Sequence, residues 1–159
     1  MAKLDANVLN QFILASISVF EQIANIKLSK DKLQYYHQGF KWKVQVATIL
    51  GLTGAIKGQI ILSIDEEIAK KVASAILMGE PVNEFNEIAE SGVCEIANMI
   101  GGDSAQRLNK LGLTVDVSVP SIIRGNDVEI GFSQKSDVFV VDYLCEWGKI
   151  SIAFNVEVN

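Results

Sequence analysis

Apolar residues along this chain recur with two periods, one typical of helices and one typical of strands. Helical spacing predicts amphipathic or capped helices at residues 5–25, 65–78 and 86–110. Asp65 is a suitable N-capping residue for the second helix, and Gly79 and Gly112 are suitable terminators of the second and third helices. Alternation predicts strands at 32–36, 43–50, 55–64, 115–119, 128–132, 138–144 and 150–158, with tight turns at 52–55 and 146–149.

The order of these elements indicates an internal duplication. Residues 20–26 resemble residues 93–99, and the same alignment places Ser18 on Ser91, 73 positions later. A long helix followed by strands therefore occurs twice. The fold class that this pattern predicts is α+β, a duplicated helix-plus-strands unit with a mainly antiparallel sheet packed against long helices.

Composition narrows the class of protein. The 159 residues are 49% apolar and 21% charged with no linker-like segment, which predicts a single domain spanning residues 1–159. Polar residues and glycines interrupt the longest apolar stretch, so no membrane span is predicted. A net charge of −5 argues against nucleic acid as a partner. Cys94 and Cys145 form no CxxC pair, and a soluble cytoplasmic protein is expected.

The third predicted helix carries the most informative pattern in the chain. At about 100° per residue, Ser91, Glu95, Asn98 and Gly102 fall on one narrow stripe. Gly101 precedes Gly102, and two adjacent glycines inside a helix destabilise it by roughly 1 kcal/mol each relative to alanine. A close approach by another group would explain why both are present.

The side chains on this stripe suit positioning chemistry. The amide of Asn98 both donates and accepts hydrogen bonds and so can orient a water molecule, which is a recurring element of phosphoryl transfer. Glu95 could accept from a lysine or arginine of a partner and thereby fix where the amide lies. The sequence contains no phosphate-binding loop, no nucleophile elbow and no zinc-protease motif. We therefore expect any metal or acyl phosphate to come with the substrate.

The run from Glu95 to Gly102, the downstream Pro120 and the earlier segment 50–58 resemble the CheX branch of the CheC/CheX/FliY phosphatases of bacterial chemotaxis. The similarity covers essentially the whole chain. The family motif is an Asp or Ser, then a Glu, then an Asn, then a distant Pro. Ser91, Glu95, Asn98 and Pro120 match it here, with 21 residues between the last two.

That resemblance implies a function and a set of partners. The substrate would be a phosphorylated CheY-like receiver domain, with Asn98 aligning the hydrolytic water and Glu95 pairing with the receiver's lysine. Ser91, Gly101, Gly102 and Pro120 are expected to contact this partner. The chain would hold no metal of its own, and the receiver would supply Mg²⁺. The family also implies a homodimer joined through sheet edges, with one active motif per subunit.

Other interpretations remain open at this stage. The stripe could be a solvated helix face, the glycines could allow close packing against a strand, and Pro120 could simply end a strand. In the first copy, Ser18, Gln22 and Asn25 occupy the motif positions without the carboxylate. The alternatives to a phosphatase are a receiver-binding adaptor that resembles the flagellar switch proteins and does not hydrolyse the phosphate, and a structural oligomerisation domain.

Overall fold

The computed structural model describes residues 4–37, 39–133 and 137–159, and within these it contains three helices and one seven-stranded sheet. The helices are α1 (Ala6–Ala24), α2 (Glu66–Ile76) and α3 (Glu87–Asn109). The strands are β1 (Ser29–Tyr36), β2 (Phe40–Gly54), β3 (Ile56–Ile64), β4 (Val115–Val117), β5 (Ser121–Phe132), β6 (Val138–Cys145) and β7 (Gly148–Val158). The predicted α+β class is confirmed, and so is the turn at 146–149. At 52–55 the chain reverses at Ala55 alone, because β2 continues to Gly54 and its last three residues pair with β4.

Side-chain caps explain where the helices begin. Asp5, Asp65 and Asn86 each accept a hydrogen bond from the backbone amide three residues later, at 2.7 to 3.0 Å. Each cap therefore satisfies one amide that lacks an intrahelical partner. The end of α1 is equally well defined, because Asn25 adopts a left-handed conformation with a φ of 53° and directs the chain towards β1.

The order of strands in the sheet reflects the duplication. Neighbouring strands follow the order β1-β6-β7-β3-β2, and β4 and β5 lie end to end along the far side of β2. With β5 included, the order is β1-β6-β7-β3-β2-β5. If β1, β2 and β3 are exchanged with their counterparts β5, β6 and β7, the same order is obtained in reverse. Each half of the chain thus contributes the edge strand beside the other half, which joins the two copies in one sheet.

Apolar residues pack on both faces of the sheet. On one face, side chains from all three helices meet alternate residues of the strands, with Phe12, Ile68, Ile96 and Phe154 among those that are fully buried. The intervening strand residues form a smaller cluster on the opposite face, around Ala47, Ile61, Val140 and Ala153. The helices therefore cover one face of the sheet, and α3 carries its polar stripe on the side that points away from this core.

Candidate active site on helix α3

The polar stripe of α3 faces solvent, as its spacing predicts. Ser91, Glu95, Asn98 and Gly102 are all exposed. Within the described parts of the chain, the side chains of Ser91, Glu95 and Asn98 form no hydrogen bond or ion pair. A carboxylate and an amide that lie about 4.5 Å apart along the helix axis are therefore both available to bind an external group.

Close packing fixes the position of α3 at its beginning. Arg124 on β5 donates a hydrogen bond of 2.5 Å to the carbonyl oxygen of Phe85, and its guanidinium lies 4.7 Å from the centre of the Phe85 ring. At Gly92, a Cβ atom would lie 2.8 Å from the Cα of Ala73, so only glycine allows α2 to approach this closely. These contacts hold the first turns of α3 against both α2 and β5.

The two adjacent glycines of α3 have different environments. Gly101 is buried, and a Cβ there would overlap Leu50 Cδ2 of β2 and lie 2.8 Å from Val117 Cγ1 of β4. The prediction that Gly101 contacts a partner is therefore wrong, because this residue serves the packing of α3 against the sheet. Gly102 is exposed, and a Cβ there would meet nothing within 4 Å. The packing explanation thus holds for Gly101 and does not apply to Gly102.

A bulge between β4 and β5 brings a second segment towards the stripe. Val117 pairs with Leu52 and Ser121 pairs with Ile49, so three residues on this edge face two residues of β2. Ser118 fixes the bulge, because its amide donates to the Gly51 carbonyl at 2.9 Å and its hydroxyl accepts from the Gly51 amide at 2.8 Å. Bulges of this kind commonly redirect side chains beside functional sites.

The strand predicted at 115–119 is shorter in the structure. Val119 lies outside β4, which ends at Val117, and its side chain is 87% exposed. Pro120 follows it and has no amide hydrogen with which to pair to β2. The two residues therefore leave the sheet together and turn towards α3.

The helix stripe and the bulge border a solvent-open cavity of about 300 Å³. Its lining residues are Ser91, Cys94, Glu95, Asn98, Val119 and Pro120. The tertiary structure thus brings the four motif residues Ser91, Glu95, Asn98 and Pro120 together, although Pro120 is distant in sequence. It also adds two residues that the sequence did not single out as part of a site, Cys94 and Val119. Their proximity to the motif in sequence was the available signal.

Cys94 contributes a neutral surface to this cavity. Partial burial raises the pKa of its thiol above the ordinary value, and the nearby Glu90 carboxylate raises this pKa further. The thiol is therefore protonated at neutral pH and is a poor nucleophile. The chemistry available in the cavity is that of a carboxylate, an amide and a hydroxyl.

No cluster of three or more His, Cys, Asp and Glu side chains suited to holding a metal ion occurs among residues 4–37, 39–133 and 137–159. In the same residues, no helix is both long enough and apolar enough to cross a membrane.

Residues 46–144, which include the whole motif, match the family model described as chemotaxis phosphatase CheX. The chain belongs to this family. The CheY-P phosphatase CheX of Thermotoga maritima is 39% identical over 85 residues, which cover 54% of this chain and 55% of that relative. The alignment thus spans about half the length of the curated relative.

Solved structures of CheX proteins share the fold over nearly the whole chain. The chemotaxis protein CheX of Desulfovibrio desulfuricans superposes with a TM-score of 0.84 at 22% identity, covering 96% of this chain and 99% of that one. The CheX-CheY-BeF₃-Mg²⁺ complex of Borrelia burgdorferi gives a TM-score of 0.80 at 23% identity, covering 98% and 99%. At these identities, the likeness shows the fold of this CheX-family chain.

Proposed function

We propose that this chain is a phosphatase that stimulates hydrolysis of the aspartyl phosphate of a CheY-like receiver domain. The observation that carries the proposal is the convergence of Ser91, Glu95 and Asn98 with Pro120 around one solvent-open cavity. Membership of the CheX family and the named activity of the Thermotoga maritima relative support the same reaction.

Asn98 is the residue that we assign to the attacking water. Its amide can accept a hydrogen bond from the water and donate one to a phosphoryl oxygen, which aligns the nucleophile without a proton-transfer group. Phosphoryl transfer depends mainly on such positioning and on charge stabilisation. The exposed position of Asn98 in the middle of α3 would allow it to enter the active site of a receiver.

Glu95 is the residue that we assign to docking. It lies three residues before Asn98 on the same face, and its carboxylate has no ion-pair partner in the described residues. A lysine of the receiver could therefore pair with it and set the position of α3. Ser91, Gly102 and Pro120 would complete the contact surface around these two residues.

Mg²⁺ would arrive with the receiver and neutralise its phosphoryl oxygens. The related Borrelia burgdorferi complex contains CheX, CheY and Mg²⁺ together, which supports a partner of this kind. We further propose that the chain acts in the cytoplasm as a homodimer joined through sheet edges. The free side of β1 is suited to such pairing, because this strand pairs only with β6 among the described residues.

The test is to phosphorylate a panel of CheY-like receivers from the same organism and follow loss of the acyl phosphate with and without this protein. We expect faster loss from at least one receiver. If none responds, the proposal is wrong. If the protein binds a phosphorylated receiver without shortening the phosphoryl lifetime, it is a binding module and not a phosphatase.

A further inference from the structure

Val119 is unusual among the apolar side chains of this chain. It is 87% exposed, and among the large apolar residues of the described surface only Met78, at 96%, is more exposed. Single exposed apolar residues are common and need no explanation. Val119, however, lines the same cavity as Glu95 and Asn98, so its exposure adds an apolar surface directly beside the motif.

The local structure holds Val119 in this exposed position. Ser118 binds Gly51 through both its amide and its hydroxyl, and the hydroxyl also donates to the carbonyl oxygen of Val119 at 3.2 Å. Pro120 restricts the backbone on the other side of Val119. The side chain is therefore presented on a rigid support, so binding a partner there would cost little conformational entropy.

A second apolar residue extends this surface along α3. Ile88 is 57% exposed and lies seven residues before Glu95, which places it about 20° from Glu95 around the helix and about 10 Å away along the axis. The exposed stripe therefore begins with an isoleucine and continues through the polar motif. Val119 thus lines the cavity beside Glu95 and Asn98, whereas Ile88 lies outside the cavity lining on the same stripe of α3.

We infer that Val119 and Ile88 bind apolar side chains of the receiver near its acyl phosphate and determine which receivers this protein accepts. This inference rests on the proposed phosphatase function. Glu95 would bind the receiver's lysine, and Asn98 would act at its phosphoryl group, both of which take part in the receiver's reaction. Apolar contacts beside them can differ between receivers and so provide discrimination.

The experiment measures dephosphorylation of a responding receiver by the variants Val119→Ser and Ile88→Ser over a range of receiver concentrations. Each substitution removes methyl groups that would be buried on binding, so we expect KM to rise by about tenfold. The rate at saturation should remain within about twofold, because neither residue touches the reacting atoms. Val119→Ile should retain a KM near that of the unmodified protein.

Leu144→Ser is the matched control. Leu144 is 47% exposed on β6, four strand positions from β4 in the sheet, or about 19 Å away at ordinary strand spacing. It should leave both parameters unchanged. Binding to a receiver carrying BeF₃ and Mg²⁺ provides a second readout without turnover, and Val119→Ser and Ile88→Ser should weaken it by the same factor.

The outcomes separate this inference from the function on which it rests. If the unmodified protein is active but either serine variant has a normal KM, the inference is overturned and the phosphatase proposal stands. A lower rate at saturation with an unchanged KM also overturns it. If the unmodified protein neither dephosphorylates nor binds any receiver, both proposals are wrong.

Discussion

The two long helices, α1 and α3, come from the two copies of one unit but present their motif positions differently. In α1, the helix ends at Ala24, and Asn25 is a left-handed cap. In α3, Asn98 lies in the middle of a helix that continues to Asn109. The same residue type therefore ends one helix and projects from the surface of the other.

The neighbouring residues increase this difference. In α1, the side-chain amide of Gln22 donates a hydrogen bond to the hydroxyl of Ser18 at 3.2 Å. Two of the motif positions in the first copy therefore bind each other. Glu95 and Ser91 form no such bond within the described residues. Among the described residues, only the second copy has a carboxylate beside an amide at the motif positions.

The chain that follows each motif also differs between the copies. β1 begins at Ser29, four residues after Asn25. This connection is too short to form a segment that faces the motif positions of α1, as Val119 and Pro120 face those of α3. After Asn98, the chain completes α3, forms β4 and reaches the bulge at Val119 and Pro120 before β5 begins. The longer connection is what creates the cavity, so the site requires both the motif and the insertion.

The strongest test of this comparison removes the amide from each copy. Asn98→Ala should lower stimulated dephosphorylation by about 100-fold or more, because loss of positioning alone can have this effect. Asn25→Gly is the matched control, since glycine accepts the left-handed conformation, and it should retain activity. Circular dichroism should show that both variants are folded. Full activity of Asn98→Ala on every responding receiver would exclude the role assigned to this residue.

The next test gives the second copy the side chain of the first. Glu95→Gln should raise KM for the phosphorylated receiver by about tenfold, because the receiver's lysine would lose its charged partner. The rate at saturation should change much less. Gln22→Glu, the reverse exchange in α1, should change neither parameter. An unchanged KM for Glu95→Gln would contradict the docking role of the carboxylate.

Gly101 tests how α3 is seated on the sheet. Gly101→Ala would place a methyl group against Leu50 and Val117, and we expect the free energy of unfolding to fall by about 1–2 kcal/mol. Urea denaturation measures this change. If stability is unaltered or increases, then α3 can move away from β2 and β4 without loss.

Substitution of Gly102 should give the smallest change in the free energy of unfolding, and this change should have the opposite sign to that for Gly101. Gly102→Ala should raise the free energy of unfolding by about 0.5–1 kcal/mol, because its Cβ meets nothing and alanine favours the helix. If the glycine provides clearance for a receiver, KM should rise despite the added stability. A stabilised variant with an unchanged KM would leave Gly102 without a role in binding.

Local patterns predicted most of the elements because their signals are contained in short segments. The cap at Asp65 depends on a side chain that binds the backbone amide three residues later, and the stop after α1 depends on the left-handed conformation of Asn25, whose backbone amide binds carbonyl oxygens of the preceding turn. Val119 shows the limit of this approach. Its alternation with Val115 and Val117 predicted a strand, but pairing with β2 places a bulge there, and strand register is a property of two chain segments.

The sequence by itself determined the three helices, most of the strand positions, the duplication and the stripe of Ser91, Glu95 and Asn98, because periodicity and capping are local. Tertiary structure alone decided that Gly101 is buried, that Pro120 lies beside Asn98 and that Val119 joins the same cavity. These facts depend on how α3 packs against β2 and β4. Such packing is set by contacts between residues that are far apart in the chain, and a short sequence pattern cannot predict these contacts.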